Sequence, residues 1–536
     1  MHRGSELLGG GEAVLLELTN ARVEINRRTD LQSQGAIQAA GRQVHILGRP
    51  GWRVDYGRLD YDDDPAAVGR ALEEALAAWL ADPSRLPGLA ALSGAYLVLV
   101  CRDGALERVL TSDELGNTVY WWAQDGRLVI SDSWRAFAQG RNLLAWEAYD
   151  PEQLAWFSRK KTCAPGRTYF KELNRLSVGT LYQVEDSSLR MAAAVCPDPP
   201  TGKPFTWDDL YAMVGRRLGS GPFTLCYSTG IDSHYLLMSQ KERIEQVLTI
   251  YMAAPYQDRE RSLEASAALI NAVAQGKPYT PVAVDFTEPM NREYLSDAVD
   301  HDPFAAHSSF SMYQAFSRVS CGEILSGQNA DTMQFFALTS RMGPKDLLFK
   351  SPVSPQKPLT RVAYRLEAAR SFGGPKPGGM VDSRMLCGLG SRMLSLTGPR
   401  GYWPILHFKR IHNMTTGNTA LFRNASRYFH KPVRFPYLEP LVFYVSAYFR
   451  RPLTDVLNPK GHLKRQYHYL RHSELPMAPP QGKPFAESPL FAWAAQGLEG
   501  LAPELKQKVD ATVMEPMARV VLYRLAALAS QESDQG

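Results

Sequence analysis

The residues best suited to chemistry lie in one run, Leu225-Cys226-Tyr227-Ser228-Thr229-Gly230-Ile231-Asp232-Ser233-His234-Tyr235-Leu236. An apolar lead-in, a small-residue turn and an amphipathic start spell a strand, a loop and a helix N-terminus. Backbone N–H groups in such a loop can face an anion. The helix dipole and the hydroxyls of Ser228, Thr229 and Ser233 add to the attraction. Asp232 repels a bare phosphate, so its presence points to a divalent cation between carboxylate and phosphate. The chemistry suggested is a pyrophosphate grip. Read alone, the same residues also make an ordinary strand–turn–helix whose Ser and Asp cap the helix. The loop lacks the GK[ST] ending of a Walker A sequence.

A second run has the same design. Glu323-Ile324-Leu325-Ser326-Gly327-Gln328-Asn329-Ala330-Asp331-Thr332 is an apolar strand that ends in a small-residue turn with one carboxylate. It follows the first loop by about a hundred residues, the length of two or three strand–helix units. In a parallel sheet both turns belong at the carboxyl ends of the strands, where ligands bind. Asp232 and Asp331 together then make a magnesium site for a triphosphate.

The elements that must position these turns begin after a Pro-rich linker, Cys196–Phe205, which separates residues 1–195 from residues 206–536. Beyond it, Phe223–Tyr227, Val247–Met252, Pro281–Asp285 and Glu323–Leu325 alternate with helical segments, the pattern of an α/β doubly wound parallel sheet. From about Thr332 onward a helical C-terminal region is expected, broken at Gly373–Gly379. Before the linker the pattern is α+β. Ala13–Leu18, Gln43–Leu47, Ala95–Cys101, Arg108–Thr111, Thr118–Trp122, Leu128–Ser131, Thr168–Phe170 and Gly179–Val184 read as strands. Pro65–Ala81 reads as a helix. Two packed sheets with helices outside are expected.

Bulk properties narrow the class. A chain of 536 residues, 45% hydrophobic, has material for two or three cores. A net charge of +5 from 60 basic and 55 acidic residues is too small to argue for nucleic acid, and no nucleic-acid partner is expected. Cys101, Cys163, Cys196, Cys226, Cys321 and Cys387 are scattered, without a CxxC pair, which favours reduced thiols in a cytoplasmic protein over zinc. Acidic residues interrupt the N-terminal apolar run, and the apolar stretches have strand length, so neither a signal peptide nor a membrane partner is expected.

Taken together, the runs resemble the asparagine synthetase superfamily. STGIDS is similar to its SGGxDS signature, and the Ser326–Thr332 turn to its SGEGxDE-like segment. Val433-Arg434-Phe435-Pro436-Tyr437-Leu438-Glu439 is similar to VRxPFLD, and Gly461–Leu470, Glu474-Leu475-Pro476 and Gly482-Lys483-Pro484-Phe485 to the family's closing K…LR…LP…K.gF series. In the first half, Gly94-Ala95-Tyr96, Thr111–Tyr120, Val129-Ile130-Ser131-Asp132 and Leu176–Thr180 resemble the glutaminase domain of these enzymes. The resemblance implies an Ntn-hydrolase-like sandwich followed by an ATP-pyrophosphatase domain. It implies ATP and Mg²⁺ bound by Leu225, Ser228, Thr229, Gly230, Asp232, Ser233, Ile250, Tyr251, Ser326 and Gly327, with Asp232 and Asp331 on the metal. Lys483 and Lys464 would be the catalytic cations, and Gln328 and His307 would line the substrate pocket.

The departures set the expected reaction. A working glutaminase of this family needs cysteine at position two; His2 stands there, so ammonia from glutamine is disfavoured. Members without that cysteine take the amine from the substrate itself. The expectation is a ligase that adenylates a carboxylate, releases AMP and pyrophosphate, and closes an intramolecular amide. A lasso-peptide-type macrolactam on a precursor peptide is favoured, with a leader-peptide-binding protein and a protease as partners. A β-lactam or carbapenam synthetase acting on a small amino-acid-derived substrate is the nearest alternative. An inactive nucleotide-binding scaffold and a ligase joining two separate molecules also remain. Gln328 cannot serve as a general base, and Thr229 and Thr332 also depart from the family pattern.

Overall fold

The computed structural model describes residues 15–19, 22–25, 33–55, 60–62, 64–112, 119–124, 126–138, 145–160, 162–163, 166–195, 214, 221–227, 230–252, 277–284, 289–305, 309–328, 330, 417–439, 489–496, 503–513 and 516–533. They fall into two compact units. Described residues up to Leu154 and from Cys163 to Val195 form the first; Ala155–Thr162 and the described residues from Val214 onward form the second.

Among the described residues twelve strands build the first unit: β1 (Leu15–Thr19), β2 (Arg22–Ile25), β3 (Ser33–Ala39), β4 (Arg42–Asp55), β5 (Asp60–Asp62), β6 (Leu92–Arg102), β7 (Ala105–Thr111), β8 (Tyr120–Gln124), β9 (Arg127–Ser131), β10 (Asn174–Arg175), β11 (Thr180–Glu185) and β12 (Ser188–Ala194). One antiparallel sheet runs β10-β8-β9-β1-β2; the other runs β12-β11-β7-β6-β4-β3, with β5 on β4. Strand β6 explains the layering. Its Leu97, Leu99 and Cys101 pack with Leu128 and Ile130 of β9, in the core between the sheets. Its Tyr96, Val98 and Val100 alternate to the opposite face and meet Val68, Leu72, Leu76 and Trp79 of the helix Pro65–Ala81. That helix starts where Asp64 accepts hydrogen bonds from Ala66 and Ala67 N–H, with Pro65 in the first turn.

Two expectations for this unit change. Thr168–Phe170 is no strand: the Thr168 hydroxyl donates to the Leu173 carbonyl at 2.6 Å and accepts from Phe170 N–H at 3.1 Å, closing a turn with isolated bridges only. Conversely β3 and β12, sequences SQGAIQA and SLRMAAA, carry weak strand propensity and form because neighbouring strands supply their partners.

The second unit holds a five-stranded sheet, β13 (Phe223–Cys226), β14 (Ile244–Met252), β15 (Tyr279–Val284), β16 (Glu323–Ser326) and β17 (Val433–Arg434), in the order β15-β14-β13-β16-β17. Every pairing is parallel. Buried Gln246 ties the edge from which β13, β14 and β16 set out. Its Nε2 donates to Thr280 Oγ1 (2.8 Å) and the Arg318 carbonyl (3.0 Å), and its Oε1 accepts from Ser320 N–H (2.9 Å). Gly322, at φ +56°, lets the return turn lie against β13; a Cβ there would fall 1.8 Å from the Pro222 carbonyl oxygen. Arg434 grips Glu323 through two guanidinium nitrogens and fixes β17 to β16.

Helices Ile231–Ser239, Pro289–His301, Ser309–Ser317, Gly417–Tyr428, Pro489–Ala494, Pro503–Thr512 and Pro516–Ser533 complete the described part of this unit. The last is buried on several sides, through Val520, Val521, Leu522, Tyr523, Leu525 and Ala526, as befits a core helix. Its Arg524 lies 4.7 Å over the Trp493 ring and donates to Ser296 Oγ at 3.1 Å. Among the described residues no helix is long and apolar enough to cross a membrane.

His301 sits among Tyr313 and Tyr428, its Nδ1 3.0 Å from the Tyr313 hydroxyl. Burial, with smaller contributions from Arg427 and His430, pushes its imidazole down to about 3. A histidine held neutral in the fold but free to protonate when unfolded stabilises fully above its ordinary pKa of 6.5, and that stability is lost as pH falls. Between about pH 7.5 and pH 5 the loss from this residue is on the order of 1–2 kcal/mol. Urea midpoints measured across that range should fall more steeply for the wild type than for His301→Gln; equal slopes would contradict the assignment.

Candidate functional site

The chain leaves β13 for β14 and β15 on one side, then returns to place β16 on the other. Between β13 and β16 the strand order therefore reverses, and in open parallel sheets the crevice at such a point is where ligands bind. Register decides how the two turns meet there. Cys226 of β13 pairs with Ser326 of β16 and with Leu248 of β14, so both turns leave the sheet at one level. Strand β14 continues to Met252 and stands beyond that level, carrying Ile250 and Tyr251 along one flank.

The first turn passes into the helix Ile231–Ser239, with Gly230 as N-cap and no side chain capping it. Asp232 and Ser233 occupy the first helical turn, where N–H groups lack intrahelical acceptors. Ser233 Oγ donates back to the Gly230 carbonyl at 2.9 Å, which also accepts the first helical bond from His234 N–H at 2.9 Å. The second turn lies directly against this helix start. A Cβ on Gly327 would stand 3.1 Å from Ser233 N and 3.2 Å from its Cα, so only a glycine brings the backbones this close without a shift. Ser326 is buried and its Oγ accepts from Gln328 N–H at 3.3 Å, which shapes the turn. Thus Gly230, Asp232 and Ser233 are brought together with Ser326, Gly327 and Gln328.

Electrostatics at this end are simple. Burial pushes His234 down to about 4, so the ring adds no charge to the helix N-terminus near neutral pH. Burial also pushes the Cys226 thiol up to about 12, which keeps it protonated and unreactive near neutral pH. Leu225 is fully buried in the central strand, paired with Val247 on one side and Leu325 on the other. A magnesium ion fits the donor set to the extent that the Asp232 carboxylate is a hard oxygen ligand beside anion-attracting N–H groups. Ser228, Thr229, Asp331, His307, Lys464 and Lys483 lie outside the described residues, as does His2.

Two residues were not singled out from sequence. The Tyr437 hydroxyl donates to the Asp232 carbonyl at 3.0 Å, across 205 positions of chain, and props the helix start from below. Glu439 follows it, a buried carboxylate just beyond the turn Pro436–Leu438 that ends the β17 segment. Both belong to the Val433–Glu439 run, whose proximity to the first turn no spacing in the sequence reveals.

No protein-family model matches the chain, and no curated protein matches it.

Gly327→Val places a branched side chain against the Ser233 backbone. Overpacking of this kind costs about 1–3 kcal/mol. The expected outcome is a lower urea midpoint, whereas Gly69→Val, at a helical site with open space around its Cβ position, gives a smaller loss. An unchanged midpoint in Gly327→Val would mean that the two turns are not packed together.

Proposed function

We propose that the chain is an ATP- and Mg²⁺-dependent ligase that adenylates a substrate carboxylate and closes an intramolecular amide. The carrying observation is the meeting of two small-residue turns, with Asp232 in the first helical turn, at the point where the strand order reverses. In this reading residues 206–536 are an ATP-pyrophosphatase-type synthetase domain. Residues 1–195 are an Ntn-type sandwich, joined to it by the linker 196–205.

The backbone N–H groups of the Ser228–Ser233 turn would hold the β- and γ-phosphates, and Asp232 with Asp331 would hold the magnesium ion. That ion would neutralise phosphate charge as pyrophosphate departs. A substrate carboxylate oxygen attacks the α-phosphorus and pyrophosphate leaves. An amine of the same substrate then attacks the activated carbonyl, its proton passes to a base, and AMP leaves. Holding amine and carbonyl on one site replaces a bimolecular encounter, an advantage reaching on the order of 10⁵–10⁸ M in effective concentration. Lys483 and Lys464 are the proposed cations for the developing negative charge. Gln328 and His307 are proposed to face the substrate, and Ile250 and Tyr251 the nucleotide base. A precursor peptide closed to a lasso-type macrolactam is the favoured substrate, delivered with a leader-binding protein and a protease.

The test is release of AMP and pyrophosphate from ATP with Mg²⁺ and candidate substrates, peptides and small amino-acid derivatives. Wild type should release both, and Asp232→Ala should lower the rate at least a hundredfold while melting like wild type. Undiminished turnover in that variant sinks the metal assignment. No AMP with any substrate sinks adenylation.

A further inference from the structure

Three residues, Ser228 to Gly230, separate the last residue after β13 from the helix that follows. The positions on either side of them are joined across the turn. Tyr227 N–H donates to the Leu248 carbonyl at 2.8 Å, which anchors one end of the turn to β14. His234 N–H donates to the Gly230 carbonyl at 2.9 Å, which anchors the other end to the helix. Between these anchors the Tyr227 hydroxyl lies 3.1 Å from His234 Nδ1, with both side chains buried.

We infer that Tyr227 and His234 form a clamp that fixes the helix start Gly230–Ser233 against the end of β13 and so the aim of its N–H groups at a bound phosphate. The inference rests on the nucleotide-binding reading above, and it concerns positioning residues that touch no reacting atom. A pair of apolar rings would fill the same space without fixing a distance or a direction. A hydrogen bond between two buried side chains fixes both, because neither group finds water as a substitute. The clamp also shares its anchors with the site: Gly230 accepts from Ser233 Oγ as well as from His234 N–H, and Asp232 is the residue that Tyr437 props. A shift of the His234 ring therefore carries the first helical turn with it. Phosphate-gripping geometry is sensitive to such displacements, since supporting side chains must hold a site to within roughly 0.5 Å.

The experiment compares binding of MgATP and of adenosine, by calorimetry, in wild type, Tyr227→Phe, His234→Leu, the double variant and His234→Asn. Adenosine lacks the phosphates that the clamp would aim at, so a general loss of structure moves both ligands and a clamp moves one. Expected are about tenfold weaker MgATP binding in Tyr227→Phe and in His234→Leu, with adenosine affinity unchanged. The double variant should be no weaker than the singles, because they break one shared bond. His234→Asn, which presents an amide near the position of Nδ1, should recover MgATP affinity to within about twofold of wild type. Unchanged MgATP affinity across the set overturns the clamp, as does equal weakening of both ligands. If wild type itself fails to bind MgATP, the nucleotide reading falls and takes the clamp with it, an outcome distinct from the other two. Should His234→Leu not fold, Tyr227→Phe and His234→Asn carry the comparison.

Discussion

Everything at the candidate site depends on the parallel pairing of β13 with β16. Cys226 opposite Ser326 makes two turns, far apart in the chain, begin at the same height. A slip by one residue would turn the side chains of one strand to the other face and offset its turn by about 3.3 Å. Gly322 and Gln246 guard against that slip from the far edge. The glycine admits a close approach to Pro222 that no other residue tolerates, and the amide of Gln246 fastens β14 to β15 and to the Arg318–Ser320 return segment. The buried Thr224 hydroxyl, 2.8 Å from the Cys321 carbonyl, adds a link from β13 to the same return turn. These polar groups add to the apolar pattern in fixing the register.

The same division holds along the helix start. The helix Ile231–Ser239 supplies N–H groups and a dipole, but their aim is set by groups from other segments: Tyr227 from the strand before, Gly327 from the second turn and Tyr437 from the Val433–Glu439 run. His234 is neutral, so the positive character of this end comes from the backbone.

Much of the fold was legible before any coordinates. The helix Pro65–Ala81 begins and ends where Asp64, Pro65 and the spacing of Val68, Leu72, Leu76 and Trp79 place it. The strands β6, β13, β14, β15 and β16 were readable as apolar runs bounded by turn residues, because their burial demands such runs. Strands β3 and β12 were not, since alanine and glutamine carry little strand signal and pair only when a neighbour is present. The two-residue strands β10 and β17 are too short for any periodicity. At the site, the small-residue turns were visible by composition and the Val433–Glu439 run by its resemblance, while the contact of Tyr437 with Asp232 and the Tyr227–His234 bond were not.

By itself the sequence determined the local chemistry: which turns can present N–H groups and where a carboxylate stands. Those are properties of residue types and short spacings, which act over one or two turns of chain. Only the tertiary structure decided that the strands bearing the two turns are direct neighbours, in which register they pair, and which distant side chains hold the turns. The reason is that the pairing of β13 with β16 joins residues about a hundred positions apart. No local pattern encodes such contacts.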